Sequence, residues 1–131
     1  ICADDNEANT ISFLRWDKSG KPLMVVCNFS PVHRQGYRVG APFGGTWTPV
    51  FNTDDTRYGG QGLGDLQPLK TGKVPCHEQK QSLVLDLPPM SAMLYRCTRR
   101  NPVRRPKQES GQKADVPSAK NSRSKKGKKG Q

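Results

Sequence analysis

The sequence has little that a membrane protein or a metalloprotein would need. It contains no apolar run near the roughly 18 residues of a spanning helix and no signal-peptide pattern. Its four cysteines form no Cys-x-x-Cys pair, and neither histidine stands at metal-ligand spacing from them. Reduced thiols are therefore favoured over a disulfide or a zinc site. We expect no metal, no cofactor and no membrane partner, and a cytoplasmic location.

Residues suited to catalysis are also scarce. His33 and His77 each lie beside a proline-containing turn, and no serine or cysteine has a recognisable nucleophile setting. Asp54 and Asp55 are adjacent, whereas glycoside chemistry needs carboxyl groups that face each other about 5 Å or more apart. The glycines of residues 59–64 lack the helix and lysine of a phosphate-binding loop. We therefore expect no catalytic residue in this chain. Asp54 and Asp55 are expected to order their own loop through hydrogen bonds to nearby backbone amides.

Charge divides the chain in two. Residues 1–98 carry ten Lys/Arg and nine Asp/Glu, whereas residues 99–131 carry twelve Lys/Arg and two Asp/Glu. Residues 99–131 also contain no aromatic residue. This predicts a domain over residues 1–98 and a disordered Lys/Arg-rich tail over residues 99–131. The balanced charge of the domain predicts that it has no basic face. The tail should bind polyanions weakly and without sequence preference.

Short strand patterns, in contrast, are abundant. Residues 23–29 form an apolar, β-branched run that predicts a strand buried on both faces, and Ser30-Pro31 ends it. Residues 10–16 alternate, and the turn at residues 17–20 makes a hairpin with that run. Further strands are predicted at residues 37–39, 46–52, 82–87 and 91–97, with one or two short ones in residues 66–75. Glycine and proline turns between them favour an all-β, antiparallel Greek-key β-sandwich without helices.

The long loop after residue 52 is the least regular part of the domain. It contains four glycines, and Asn52 and Asp54 at its start favour hydrogen bonds to nearby backbone amides. We therefore expect a loop of fixed shape. Trp47 and Tyr58 could stack on sugar rings, although such aromatic residues are more often core or interface residues.

Four blocks in order, over about residues 1–97, resemble the C-terminal β-domain of bacterial 1,4-α-glucan (glycogen) branching enzymes of the α-amylase superfamily. His33 stands where that family more often has proline, and the basic tail lies outside its pattern. The blocks are Ile1-Cys-Ala-Asp-Asp with Ile11-Ser-Phe-Leu-Arg15, Asn28-Phe-Ser-Pro-Val with Tyr37-Arg-Val-Gly40, Trp47 and Asn52-Thr-Asp54 with Tyr58-Gly-Gly60, and Ser82-Leu to Leu87-Pro-Pro89 with Ala92 and Leu94.

The resemblance implies a fragment of a glycosyltransferase of glycogen biosynthesis. The parent would transfer a cleaved α-1,4-glucan segment to a 6-hydroxyl, using carboxylates of a (β/α)₈ barrel that this chain lacks. The chain alone should be inactive. Its expected partner is the catalytic barrel of the parent enzyme, and it would meet α-glucan only as part of that enzyme. Asn52, Thr53, Asp54 and Tyr58 are expected at the inter-domain contact, and Trp47 and Tyr58 at a glucan contact. The alternative is a small β-module whose basic tail binds nucleic acid non-specifically.

Overall fold

The computed structural model describes residues 1–102, which fold into eight β-strands and one short 3₁₀ turn at Thr56–Tyr58. The predicted tail falls mostly in residues 103–131, outside the described residues. No helix among residues 1–102 has the length and apolarity to cross a membrane. The strands are β1 (Cys2–Asp5), β2 (Thr10–Trp16), β3 (Pro22–Asn28), β4 (Arg34–Ala41), β5 (Gly45–Asn52), β6 (Leu69–Lys70), β7 (Gln81–Leu87) and β8 (Ser91–Arg100).

The strands form two antiparallel sheets. The larger sheet has six strands in the order β1-β2-β3-β8-β5-β6, and the smaller has two, β4 and β7. Central strands therefore pair across long stretches of sequence, β3 with β8 and β8 with β5. The chain crosses between the sheets after β3, after β4, after β6 and after β7. The predicted all-β, antiparallel architecture is confirmed.

The core lies between the two sheets. Strand β3 contributes Met24 and Val26, which are fully buried, and β7 of the smaller sheet contributes Leu85, which is 1% exposed. The alternate residues of β3 are only partly buried, so the prediction that this strand is buried on both faces is wrong for its outer face. The other core residues are Val39, Ala41, Trp47, Leu83, Leu87, Met93 and Tyr95.

Strand β8 continues past the predicted end of the domain. Arg99 pairs with Thr46, Arg100 pairs with Gly45, and the Asn101 amide donates to the Gly44 carbonyl at 2.8 Å. The Arg100 guanidinium also lies over the Phe43 ring, 4.1 Å from its centroid. The sequence predicts a boundary at residue 98 because apolar side chains become scarce there. Strand pairing joins backbone N–H and C=O groups and needs no apolar side chain, so the strand continues beyond that point.

Two truncations should therefore behave differently. Ending the chain after Pro102 should leave its thermal midpoint within about 2 °C, because every contact described above is kept. Ending it after Thr98 removes the last ladder pairs, the Asn101 hydrogen bond and the cation–π contact, and should cost about 1–3 kcal/mol. In a domain of this size, that loss lowers the midpoint by about 4–8 °C per kcal/mol. Equal midpoints in circular-dichroism melts would contradict this account of β8.

Candidate functional site

The outer face of the larger sheet carries rows of apolar side chains. Cross-strand partners share a face of a sheet, so the strand register fixes which side chains adjoin. The partners form one row of Ile11, Cys27 and Ala92 and a second row of Phe13, Val25, Leu94 and Phe51. We call these seven residues the apolar face.

Nothing among the described residues covers the apolar face fully. Ile11 is 38% exposed and Phe51 40% exposed, and the other five are partly buried by their neighbours. The Tyr58 ring extends the face from the following loop, with its centroid 5.5 Å from that of Phe51. A contiguous apolar surface whose side chains are all partly accessible is typical of an interaction surface.

The loop after β5 is held in shape from within, as predicted. The Asn52 side-chain amide donates to the Leu63 carbonyl at 2.6 Å, and its Oδ1 accepts from the Asp54 amide at 2.9 Å. Asp54 Oδ2 in turn accepts from the Leu63 amide at 3.1 Å. These bonds join the two ends of the loop, so Asn52 and Asp54 determine its shape and do not project from it.

The 3₁₀ turn inside this loop positions Tyr58. Asp55 caps the turn by accepting from the Arg57 amide at 2.9 Å, and its other oxygen accepts from the Arg57 guanidinium at 2.9 Å. These hydrogen bonds from Arg57 hold the pKa of the Asp55 carboxyl below its usual range. The turn ends at Gly59, whose φ of 79° is the left-handed conformation that glycine favours. Tyr58 is 56% exposed.

The far end of the loop is anchored to the core. Asp65 Oδ2 accepts from the Tyr95 hydroxyl at 2.7 Å and from the Asp86 amide at 3.0 Å. Burial raises the pKa of Asp65 and that of Tyr95. Because Tyr95 belongs to β8, this contact ties the loop to the strand that supplies Ala92 and Leu94 of the apolar face.

The predicted contact residues therefore have different positions. Thr53 forms two hydrogen bonds with Ala92 of β8. Its amide donates to the Ala92 carbonyl at 3.1 Å, and its hydroxyl accepts from the Ala92 amide at 2.9 Å. Trp47 is 0% exposed and packs against Phe43 in the core, so its indole has no open face for a sugar ring. Of the five residues named from the sequence, Thr53 and Tyr58 are exposed, and Tyr58 presents a 56% exposed aromatic side chain.

The titratable side chains of the described residues form no recognisable catalytic set. Asp54 and Asp55 are each engaged in loop hydrogen bonds, the His33 ring contacts the Asp86 carboxylate, and His77 Nδ1 accepts from the Gly40 amide at 3.2 Å. Within residues 1–102, no three metal-ligating side chains cluster in a way that could hold an ion. The arrangement suits binding to another surface better than covalent chemistry.

The loop brace can be tested with Asp54→Ala. Without its carboxylate, the Leu63 amide loses its partner, and we expect the free energy of unfolding to fall by about 1–2 kcal/mol. Asp54→Asn retains an acceptor oxygen and should lose less than half as much. Urea unfolding of the three proteins measures the difference, and equal losses in both variants would show that the hydrogen bond is unimportant.

Comparison with known proteins agrees with this architecture. A model of the family described as "Alpha amylase, C-terminal all-beta domain" matches residues 1–98. The 1,4-alpha-glucan branching enzyme GlgB of Aquifex aeolicus is 52% identical over 90 residues, which are 68% of this chain and 14% of that enzyme. The GlgB enzyme of Aromatoleum aromaticum is 44% identical over 93 residues, which are 71% of this chain. That of Pseudomonas putida is 40% identical over 96 residues, which are 73% of this chain. The chain spans only 13–15% of the length of these relatives.

Proposed function

The chain belongs to the alpha amylase C-terminal all-beta domain family, and we propose that it acts as the C-terminal domain of a 1,4-alpha-glucan branching enzyme. Its role in that enzyme is structural. The catalytic carboxylates would lie in the remaining part of the enzyme, which accounts for most of the length of the relatives. The four cysteines are free thiols, which supports a reducing, cytoplasmic environment.

The observation that carries this proposal is the apolar face. Its rows cross four strands of the larger sheet, β2, β3, β8 and β5. In an enzyme whose catalytic part precedes this domain, the chain enters at β1, directly beside the strand that carries Ile11 and Phe13. The catalytic barrel is therefore the occupant that we assign to the face.

The loop residues support the same contact in two ways. Asn52 and Asp54 brace the loop from within, and Thr53 bonds it to Ala92 of β8. Tyr58 presents its ring beside Phe51. We assign Tyr58 to direct contact with the barrel. A glucan chain bound at the junction of the two domains would reach this same ring, and we retain Tyr58 as the glucan contact of the proposal.

A chimera tests the proposal. Residues 1–102 replace the matching segment of the Aquifex aeolicus enzyme, and branch formation on amylose is followed by iodine staining and linkage analysis. We expect an active chimera, and no α-1,6 linkages from the isolated chain. We also expect the grafted domain to melt together with the chimera, because docking on the barrel couples the two units. A grafted domain that melts separately, at the midpoint of the isolated chain, would contradict the proposal.

A further inference from the structure

The outer face of the larger sheet is basic beyond the apolar face. Its next row holds Arg15, Leu23, Arg96 and Thr48, and the row after that holds Lys70, Thr46 and Arg99. Neighbouring rows on one face of a sheet lie about 6–7 Å apart. The four Lys/Arg side chains of these rows are exposed. We call Arg15, Arg96, Arg99 and Lys70 the outer-face cations.

The outer-face cations have no acidic partner on their sheet. Strands β2, β3, β5, β6 and β8 contain no Asp or Glu. The ion pairs of residues 1–102 are His33 with Asp86 and Arg57 with Asp55, and neither lies on these strands. The expectation that the domain has no basic face is therefore wrong. Acidic residues balance the basic ones over residues 1–98, but they lie on β1, on β7 and in turns and loops.

The cations adjoin the apolar face directly. The Arg15 guanidinium lies over the Phe13 ring, 5.7 Å from its centroid. Leu23 stands between Arg15 and Arg96 in the row and lines the same groove as both. Asp17 also lines this groove, but its carboxylate accepts three hydrogen bonds from its own turn. A surface that covers the apolar face is therefore within reach of Arg15 and Arg96.

These cations restrict what can cover the sheet. Covering a cation removes it from water, which is costly unless an acidic group pairs with it. The planar guanidinium group of arginine matches a carboxylate, which can accept two parallel hydrogen bonds from it. Protein interfaces commonly surround an apolar centre with such a polar rim. An α-glucan is uncharged and would leave the cations unpaired.

We propose that the catalytic barrel of the parent enzyme presents carboxylates to the outer-face cations, beside the apolar surface that it presents to the apolar face. This inference rests on the proposed function, which assigns the barrel to the apolar face, and it adds the chemistry of the barrel surface. Carboxylates lie opposite Arg15 and Arg96, and Arg99 and Lys70 extend the acidic contact towards β6. Apolar contact has no preferred direction, so the paired charges determine how the domain is oriented on the barrel.

The test replaces Arg15 and Arg96 together in the chimera by lysine, by glutamine or by glutamate. Alkylation of Cys27, which lies between Ile11 and Ala92 on the apolar face, reports docking. We expect the lysine pair to leave the rate within about twofold, because the charge is kept, and the glutamine pair to raise it. The glutamate pair opposes like charges and should raise the rate at least about tenfold, to that of the isolated chain.

Two controls isolate the effect of docking. The same substitutions in the isolated chain measure any direct effect on the thiol, and circular dichroism of these variants verifies the fold. Lys73→Glu with Lys80→Glu makes the same charge change on exposed residues between β6 and β7, and it should leave the Cys27 rate in the chimera unchanged. If the glutamate pair unfolds, the comparison of the lysine and glutamine pairs still decides the result.

The outcomes separate this inference from the proposed function. A rate that rises from the lysine to the glutamine to the glutamate pair in the chimera, but not in the isolated chain, supports the inference. Equal protection of Cys27 in all variants would overturn the inference alone, because the barrel would still cover the face. An unprotected Cys27 in the unmodified chimera would overturn both. Binding of phosphatidylserine vesicles or oligothymidylate by the chimera, lost in the glutamine pair, would show that the cations remain open and overturn the assignment of the barrel as their partner.

Discussion

Replacing Phe13 and Leu94 by threonine should lower the stability of the chimeric enzyme by about 3 kcal/mol and that of the isolated chain by only about 1 kcal/mol. Threonine suits strands, so the isolated chain loses cross-strand contacts with neighbours such as Val25 and the contact of the Arg15 guanidinium, which lies 5.7 Å from the Phe13 ring centroid. In the chimera both side chains would be covered by the barrel. Each then also loses about 1 kcal/mol, which is part of the roughly 1.5–3 kcal/mol for full burial of a large apolar side chain, because both are already partly buried in the isolated chain.

Val84→Thr is the matched control for this pair of substitutions. Val84 is 45% exposed on β7 of the smaller sheet, away from the apolar face. Its substitution should have the same small effect in the isolated chain and in the chimera. Differential scanning calorimetry of the six proteins gives the comparison. If the double variant loses no more stability in the chimera than alone, the barrel does not cover this face.

Gly60→Ala should have the second-largest effect, this time in the isolated chain. A Cβ at this position would lie 2.0 Å from the Asp54 carbonyl oxygen and 2.2 Å from its carbon, so the backbone of the loop must move. That movement breaks the hydrogen bond at 2.7 Å from the Gly62 amide to the same oxygen. We expect a loss of about 1–3 kcal/mol on urea unfolding.

Gly72→Ala makes the same chemical change in open space. No heavy atom lies within 4 Å of the position that its Cβ would take, and its φ is not in the left-handed region. This substitution should be neutral or stabilising by up to about 1 kcal/mol, because it restricts the unfolded chain. If Gly60→Ala matched Gly72→Ala, the loop would be too pliant to hold Tyr58 beside Phe51.

Local patterns in the sequence were sufficient to predict most of the strands. Alternation located β2 and β7, and the Ser30-Pro31 and Pro88-Pro89 corners marked where neighbouring strands stop. Alternation also implied that Ile11 and Phe13 share one side. It could not show that β8 and β5 place Leu94 and Phe51 in the same row, because pairing between strands distant in sequence has no local signal.

The same limitation explains what sequence reasoning missed in the sites. From the sequence, Trp47 is a candidate for sugar contact, because aromatic residues occur both in cores and on surfaces. Its burial depends on the packing of Phe43 and of both sheets, which the local sequence does not reveal. The grouping of cations on the outer face of the larger sheet was missed because Arg15, Arg96 and Lys70 are far apart in sequence. Only the pairing of β2, β3, β8, β5 and β6 brings them onto one face, so balanced charge over residues 1–98 does not predict a surface without basic residues. The braced loop was predictable because Asn52 and Asp54 act on nearby residues.

The most direct test of the docked apolar face is the rate of alkylation of Cys27. This thiol lies between Ile11 and Ala92 on the apolar face. Burial raises its pKa, and the thiolate is the reactive form, so labelling is done at about pH 9, above the ordinary thiol pKa of about 8.5. Peptide mass spectrometry follows Cys27 and, as the internal control, Cys76, whose Sγ lies 3.6 Å from the Arg38 carbonyl oxygen of the smaller sheet. We expect Cys27 to react at least about tenfold more slowly in the chimera than in the isolated chain, which corresponds to about 1.4 kcal/mol of protection. Cys76 should react equally in both, and an unchanged Cys27 rate would show that the face remains open and contradict the account.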